Sequence, residues 1–279
     1  MTHFFLRLIL ISCLLSGISH FSVAQTDTTL WAATKYTIES AYADTDRDFW
    51  VSLPMQYDTA KAYPVMYVLD AEWRFNLVRN IVWDLAGNKK IPHHIVVGIP
   101  HVEWENQRGR DLTFSQSRME YDGTPVDSTW YNATNSGDAD AFYHYLTEEV
   151  VPMVDEHYAT DGRRILIGHS LGGYFGGYIL PFDGTFSHYQ IYDPSMWYSA
   201  GEVNNQIEKL NRPLKKANVF VSFQSVPPYH RQKIIDFITL LKKEEDIDLN
   251  YREYTNETHN SLYMYSVLEG MLHAYPEGQ

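Results

Sequence analysis

The chain has 279 residues, a formal charge of −13, a pI near 5.3 and 44% hydrophobic residues, enough to bury the core of one large α/β domain without metal or disulfide support. With 20% charged residues it reads neither as a disordered segment nor as a multi-pass membrane protein. The acidic balance argues against a nucleic-acid backbone as main partner, because binding phosphates requires a basic surface.

The first segment, "MTHFFLRLILISCLLSGISHFSVAQ", carries Arg7, a long apolar run and the small-residue ending Ser22-Val23-Ala24. That is the pattern of an export signal over residues 1–24, and it predicts a periplasmic or secreted protein. Ser12, Ser16, Gly17, Ser19 and His20 interrupt the run and make it a poor permanent span. "LISC", ending at Cys13, resembles the bacterial lipoprotein box, so a lipid anchor on Cys13 is the alternative. Cys13 is the only cysteine, and cleavage after Ala24 leaves no thiol for disulfides, zinc sites or nucleophilic chemistry.

A linker over 25–36 leads into a single domain over 37–279, with no repeat or charge block to mark a second. "DFWVSLP" (48–54), "YPVMYVLDAEW" (63–73), "HHIVVGIP" (93–100), "RRILIGHS" (163–170), "NVFVSFQS" (218–225) and "IDLNYREY" (247–254) read as strands. Several are near-continuous apolar runs of the kind covered on both faces in parallel sheets. Between them, residues 138–158 place Phe142, Tyr145, Leu146, Val150, Met153 and Val154 at helical spacing, and 229–243 do the same with Ile234, Phe237, Ile238 and Leu241. Alternating strands and helices predict a mostly parallel α/β sheet with helices on both faces and chemistry at the carboxyl ends of the strands.

At one such end stands "GHSLG". Gly168, His169, Ser170, Leu171 and Gly172 fill G-x-S-x-G between a strand and the helix-competent "LGGYFGGYIL". A sharp turn there lifts the Ser170 hydroxyl off the sheet and sets the backbone N–H of Leu171 beside it at a helix N-terminus, where an oxyanion is stabilised. The competing reading is a glycine-rich turn serving only close helix packing. No Gly-Lys-Ser/Thr follows, so a phosphate loop is not indicated. His169, adjacent in sequence, points away from Ser170 and is read as packing.

A serine nucleophile needs an imidazole. Of 12 histidines, His259 alone sits on the loop after the last strand and before a helix, the place of the base in a Ser, acid, His order. The acid normally follows the strand 218–225, but "SVPPYHRQ" holds no carboxylate. One strand earlier, Asp193 ends the 189–192 segment and is the candidate acid. It has two rivals: Asp193 as a mere turn former with Pro194 and Ser195, and a Ser170/His259 dyad braced by backbone carbonyls.

These residues resemble the putative-esterase branch of the α/β-hydrolases, which includes enterochelin (siderophore) esterases, S-formylglutathione hydrolases, feruloyl esterases and mycolyl transferases. "VVGIP" followed by "RGRDLTF" is similar to that family's "VGI...R..DLTP", "DPSMWY" to "SPSLWW", and "ETHNSLYMYSVLEGM" to "EDHGSVPLRSLYEGL", which carries the catalytic histidine onto His259. The resemblance implies an α/β-hydrolase fold and a serine esterase working through an acyl-enzyme, with no cofactor or metal and a small-molecule or saccharide ester as partner. An acyltransferase and a degraded hydrolase that only binds ligand are the alternatives. It also implies the backbone N–H of Glu72 as second oxyanion donor, although Ala71 stands where the family has glycine. The family's "GE.E"-type acid is "FQSVPPYH" here, and Asp193 replaces the first Ser of "SPS". Trp104, Trp197, Tyr198 and Tyr263 are candidates to line the substrate pocket, with Arg110 and Asp111 bracing a loop above it.

Overall fold

The computed structural model describes residues 33–276 apart from 44, 102 and 103; the side chains of 104 and 105 are likewise outside the described set. The expected signal over 1–24, the lipid-box Cys13 and most of the linker lie outside the described residues.

Eight strands form one sheet: β1 (Thr34–Ile38), β2 (Arg47–Ser52), β3 (Tyr63–Leu69), β4 (Ile95–Ile99), β5 (Thr160–His169), β6 (His188–Tyr192), β7 (Ala217–Gln224) and β8 (Ile247–Tyr254). Their spatial order is β1-β2-β4-β3-β5-β6-β7-β8. The β1/β2 and β2/β4 pairs are antiparallel, and every pairing from β4 across to β8 is parallel. The mostly parallel sheet expected from the sequence is therefore present, with an antiparallel edge hairpin.

The central strands are apolar throughout because both faces are covered. All seven residues of β3 and all five of β4 are buried, and strand pleating sends alternate side chains to opposite layers. Val65, Tyr67 and Leu69 join a core on one face with Leu166, Phe175 and Phe237, while Met66 and Val68 join a second core on the other with Ile167, Val78 and Val267. The covering helices are α1 (Ala71–Gly87), α2 (Trp104–Leu112), α3 (Ala139–His144), α4 (Val151–His157), α5 (Leu171–Ile179), α6 (Glu202–Glu208), α7 (Pro228–Leu241) and α8 (Leu262–Ala274). Among the described residues no helix is long and apolar enough to cross a membrane.

Three of the differences from the expected boundaries bear on the architecture. The sheet begins at Thr34, inside the segment read as linker. The strand expected over 63–73 ends at Leu69, where Asp70 takes φ 54° and ψ 42° and turns the chain directly into α1. The helix expected over 138–158 is continuous in direction but passes through a π-helical segment at Tyr145–Val150 between α3 and α4. Pro152 supplies the reason: it has no N–H to give the preceding turn, and its ring crowds that turn's carbonyl, so the turn widens.

Candidate active site

Ser170 joins β5 to α5 with φ 60° and ψ −118°, a conformation costly for a non-glycine residue and held only where neighbours over-determine it. They do: its N–H donates to the Tyr192 carbonyl at 3.0 Å, and its own carbonyl accepts from the Ser195 N–H at 3.0 Å and the Tyr174 N–H at 3.0 Å. The elbow is thereby fastened to the end of β6. Gly168 permits it, since a Cβ there would lie 2.1 Å from the Gly172 carbonyl oxygen. The close-packing reading of "GGYFGG" also has substance, because a Cβ on Gly173 would lie 2.9 Å from the Pro194 side chain. Gly173 brings α5 tight against the segment that carries Asp193 and Ser195, and Gly168 lets the first turn of α5 close over the end of β5.

Asp193 follows β6 with φ 38°, and its N–H donates to the Ser222 carbonyl on β7 at 2.6 Å. The chain bends there, but the side chain does more than shape the backbone. Oδ2 accepts from His259 Nδ1 at 2.6 Å, and Oδ1 accepts from His230 Nε2 at 3.0 Å and from the Gln224 backbone N–H at 3.0 Å. Its side chain is 0% exposed. Burial alone favours the protonated acid, but hydrogen bonds from His230 and His259 outweigh it and hold the carboxyl well below the usual range.

His259 occupies the loop between β8 and α8, as the chain order requires, and its side chain remains 38% exposed. Its Nδ1 faces a carboxylate, not a backbone carbonyl. With Nδ1 donating, Nε2 is left as the acceptor. His169 is turned to the far side of the imidazole loop and braces it: its Nε2 donates to the His259 carbonyl at 2.7 Å, and its Nδ1 accepts from Arg74 at 3.3 Å. Burial, then the nearby His259 and Arg74, push the His169 imidazole down to about 3.

Ser170 and His259 open on one cavity of about 310 Å³, shared with Ser195, Trp197 and Gln224, with Tyr121 and His230 completing its wall. Ser170 Oγ lies 3.4 Å from Ser195 Oγ. Among the described residues no group of three or more His, Cys, Asp or Glu is arranged to hold a metal ion.

Leu171 is the first residue of α5 and Glu72 the second of α1, so neither N–H has an acceptor within its own helix. Because β3 and β5 are parallel neighbours, their carboxyl ends, and hence the starts of α1 and α5, lie side by side. The positive φ of the first turn falls on Asp70, so Ala71 is an ordinary helical residue and the missing glycine costs nothing there. Arg108 clamps Asp70 through Nε at 2.6 Å and Nη2 at 3.0 Å, and reaches the His169 carbonyl at 3.5 Å, tying the two strand ends together. The Glu72 side chain accepts from the His101 backbone N–H.

Of the pocket candidates, Trp197 lines the cavity. Tyr198 does not join it in this way: it is fully buried, its ring against Tyr131 and Tyr174 and its hydroxyl donating to the Ser115 carbonyl at 3.1 Å. Tyr263 is buried beside His169, with the Arg74 guanidinium over its ring at 4.1 Å. Trp104 opens α2, and its side chain is outside the described set. Arg110 pairs with Asp138, and Asp111 is held by Arg47 and His101, which matches a bracing role. Sequence reasoning passed over His230, Ser195, Gln224 and Tyr121. His230 lies in "SVPPYHRQ", the segment whose lack of a carboxylate is the family departure noted above.

A family model described as "Putative esterase" matches residues 40–178. The chain belongs to this esterase branch of the α/β-hydrolases. Among curated proteins it is 24% identical to the ferri-bacillibactin esterase BesA of Bacillus subtilis (strain 168) over 253 residues, 82% of this chain and 85% of that one. The fold is shared with an IroE-like serine hydrolase from Shewanella oneidensis, with a TM-score of 0.77 and 24% identity over 87% of this chain and 80% of the other. It is shared too with the siderophore hydrolase EstA of Aspergillus nidulans, with a TM-score of 0.71 and 18% identity over 92% and 98%.

Proposed function

We propose that the protein is a serine carboxylic-ester hydrolase in which Ser170 is the nucleophile, His259 the base and Asp193 the acid. The observation that carries the reading is the hydrogen bond of 2.6 Å between Asp193 Oδ2 and His259 Nδ1, made behind the cavity that Ser170 and His259 both line. His259 Nε2 takes the Ser170 proton as Oγ attacks the ester carbonyl, and Asp193 stabilises the resulting imidazolium. The N–H groups of Leu171 and Glu72 hold the oxyanion until the alkoxide leaves with the proton from His259. Water then repeats the sequence on the acyl-enzyme and frees Ser170.

The substrate proposed is an extracytoplasmic ester of siderophore-lactone or acylated-saccharide type. The siderophore esterases named among the relatives support the first member of that pair, and the aromatic wall formed by Trp197 and Tyr121 suits a flat acyl group. Export rests on the N-terminal sequence, with periplasm or medium as destination.

The deciding experiment is labelling of Ser170 by a fluorophosphonate, together with turnover of a p-nitrophenyl short-chain ester. Folded protein that neither labels nor turns over refutes the esterase reading and leaves a ligand-binding hydrolase fold. A panel of siderophore trilactones and acylated saccharides, run with and without an added acceptor alcohol, then separates substrate type and hydrolysis from acyl transfer. N-terminal sequencing of the mature protein tests cleavage after Ala24 against lipidation of Cys13.

A further inference from the structure

An acid that orients a catalytic imidazole must be fixed at both oxygens, because a carboxylate held at one alone can swing about its Cβ–Cγ bond. Asp193 meets this demand with an unusual partner. Oδ2 accepts from His259, and Oδ1 accepts from a second histidine, His230, at 3.0 Å. His230 is the third residue of α7, is 3% exposed, and stands with its ring 79° to that of His259, centroids 6.4 Å apart.

We propose that His230 is a positioning residue for the esterase reaction: it clamps Asp193 Oδ1 and so keeps Oδ2 aimed at His259. This rests on the assignment of Ser170, Asp193 and His259 made above. The segment after β7, where the family resemblance expects the acid, supplies a donor from the first turn of α7 instead, while the charge comes from the end of the neighbouring strand β6. Two adjacent strand ends have exchanged tasks. The Gln224 N–H shares the work on Oδ1, but a backbone amide at the end of β7 cannot tighten or relax independently of the sheet. The imidazole is the half of the clamp that a side-chain substitution can remove.

Chemistry fixes the tautomer. A carboxylate oxygen only accepts, so His230 must carry its proton on Nε2. Its Nδ1 is buried with no hydrogen-bond partner among the described residues, which suits a bare lone pair better than an N–H, since an orphaned buried donor costs more than an under-used acceptor.

The test compares His230→Phe, which keeps a ring and removes the donor, with His230→Gln, whose amide Nε2 reaches a similar point. For folded protein, His230→Phe should lower kcat on p-nitrophenyl acetate by about ten- to a hundredfold, the scale of one lost hydrogen bond to a charged group, with KM within about twofold. His230→Gln should recover most of that loss. The far-downfield His259 Nδ1 proton should move or broaden with Phe and return with Gln. Equal kcat in both variants, or wild-type kcat in His230→Phe, overturns the proposal. Where His230→Phe does not fold, imidazole nitrogen shifts of the wild-type protein decide: a proton on Nε2 supports the clamp, and a proton on Nδ1 ends it. Wild-type protein that fluorophosphonate fails to label refutes the esterase assignment itself, whereas labelled, active protein indifferent to His230 refutes only the clamp.

Discussion

Asp193 Oδ2 lies 2.6 Å from His259 Nδ1, although the two residues are 66 positions apart and the aspartate leaves β6, not β7. The displacement by one strand is bridged because β6 and β7 are parallel neighbours whose carboxyl ends share one edge of the cavity. The family resemblance puts the acid after β7; here the carboxylate that meets the His259 imidazole leaves the strand beside it.

Removing that charge should therefore be expensive for turnover. Asp193 has φ 38°, a region that asparagine tolerates better than alanine, so Asp193→Asn is the cleaner variant. It should retain the fold and lower kcat by about 10²- to 10⁴-fold, the range for losing a triad acid. Steady-state kinetics on a p-nitrophenyl ester measures this, and an unchanged rate would leave a Ser170/His259 dyad.

The two glycines of the elbow should respond differently to a methyl group. A Cβ on Gly168 would sit 2.1 Å from the Gly172 carbonyl oxygen and 2.3 Å from its carbonyl carbon, backbone atoms that cannot yield. A Cβ on Gly172 would meet Leu69 at 3.5 Å and Asp70 Oδ2 at 3.6 Å, ordinary contact distances. Gly168→Ala should cost about 3 kcal/mol or more, the upper end for overpacking, and abolish labelling of Ser170. Gly172→Ala should fold with an unfolding midpoint close to wild type. Urea denaturation of both decides, and equal stability would contradict the elbow geometry.

Much of this was legible in the sequence because it depends on local chemistry. The buried strands announce themselves as apolar runs, and "GHSLG" names its turn through the residues that the turn requires. Chain order and the family resemblance both point to His259, the histidine that meets Asp193. The failures are those of long range. That Asp193 is the residue facing His259 depends on strand neighbourhood, and the same Asp-Pro reads equally well as a turn. His230 stands in plain view after the 218–225 strand, but its contact with Asp193 depends on the fold. Tyr198 was misplaced because "MWY" gives no sign of which aromatic faces the cavity and which the core.

Trp197 lines the cavity beside Ser195, whose hydroxyl is 3.4 Å from that of Ser170. Truncating it should enlarge the pocket near the acyl carbon without touching the proton relay. Trp197→Ala should raise KM about tenfold for aromatic acyl esters, as expected for the loss of roughly 1.4 kcal/mol of ring contact, and leave kcat on acetate esters within about threefold. Specificity constants across a series of acyl groups test this. A uniform loss for every acyl group would place Trp197 in the fold and not in recognition.

Stability should peak near pH 6.5, because buried histidines are shifted in opposite directions. Burial pushes His94 and His169 down to about 3. His94 is matched as a neutral ring, Nδ1 donating to the Pro92 carbonyl at 2.7 Å and Nε2 accepting from Tyr275 at 2.8 Å. Below the ordinary histidine value of about 6.5 the unfolded chain gains protons at both sites that the folded chain refuses until about pH 3. Stability therefore falls with falling pH by up to about 1.4 kcal/mol per unit for each ring. His101 behaves oppositely. Burial opposes its charge, but Asp111 at 2.8 Å and Asp70 at 3.4 Å prevail and raise it to about 9. Its contribution is fully present below about 6.5 and is lost as pH rises towards 9, where the folded form still holds a proton that the unfolded chain has released. Melting temperatures measured from pH 4 to 9.5 should decline on both sides of the maximum, and His101→Gln should flatten the alkaline side alone. A wild-type melting temperature that climbs steadily from pH 6.5 to 9 would rule out a charged His101 between its two carboxylates.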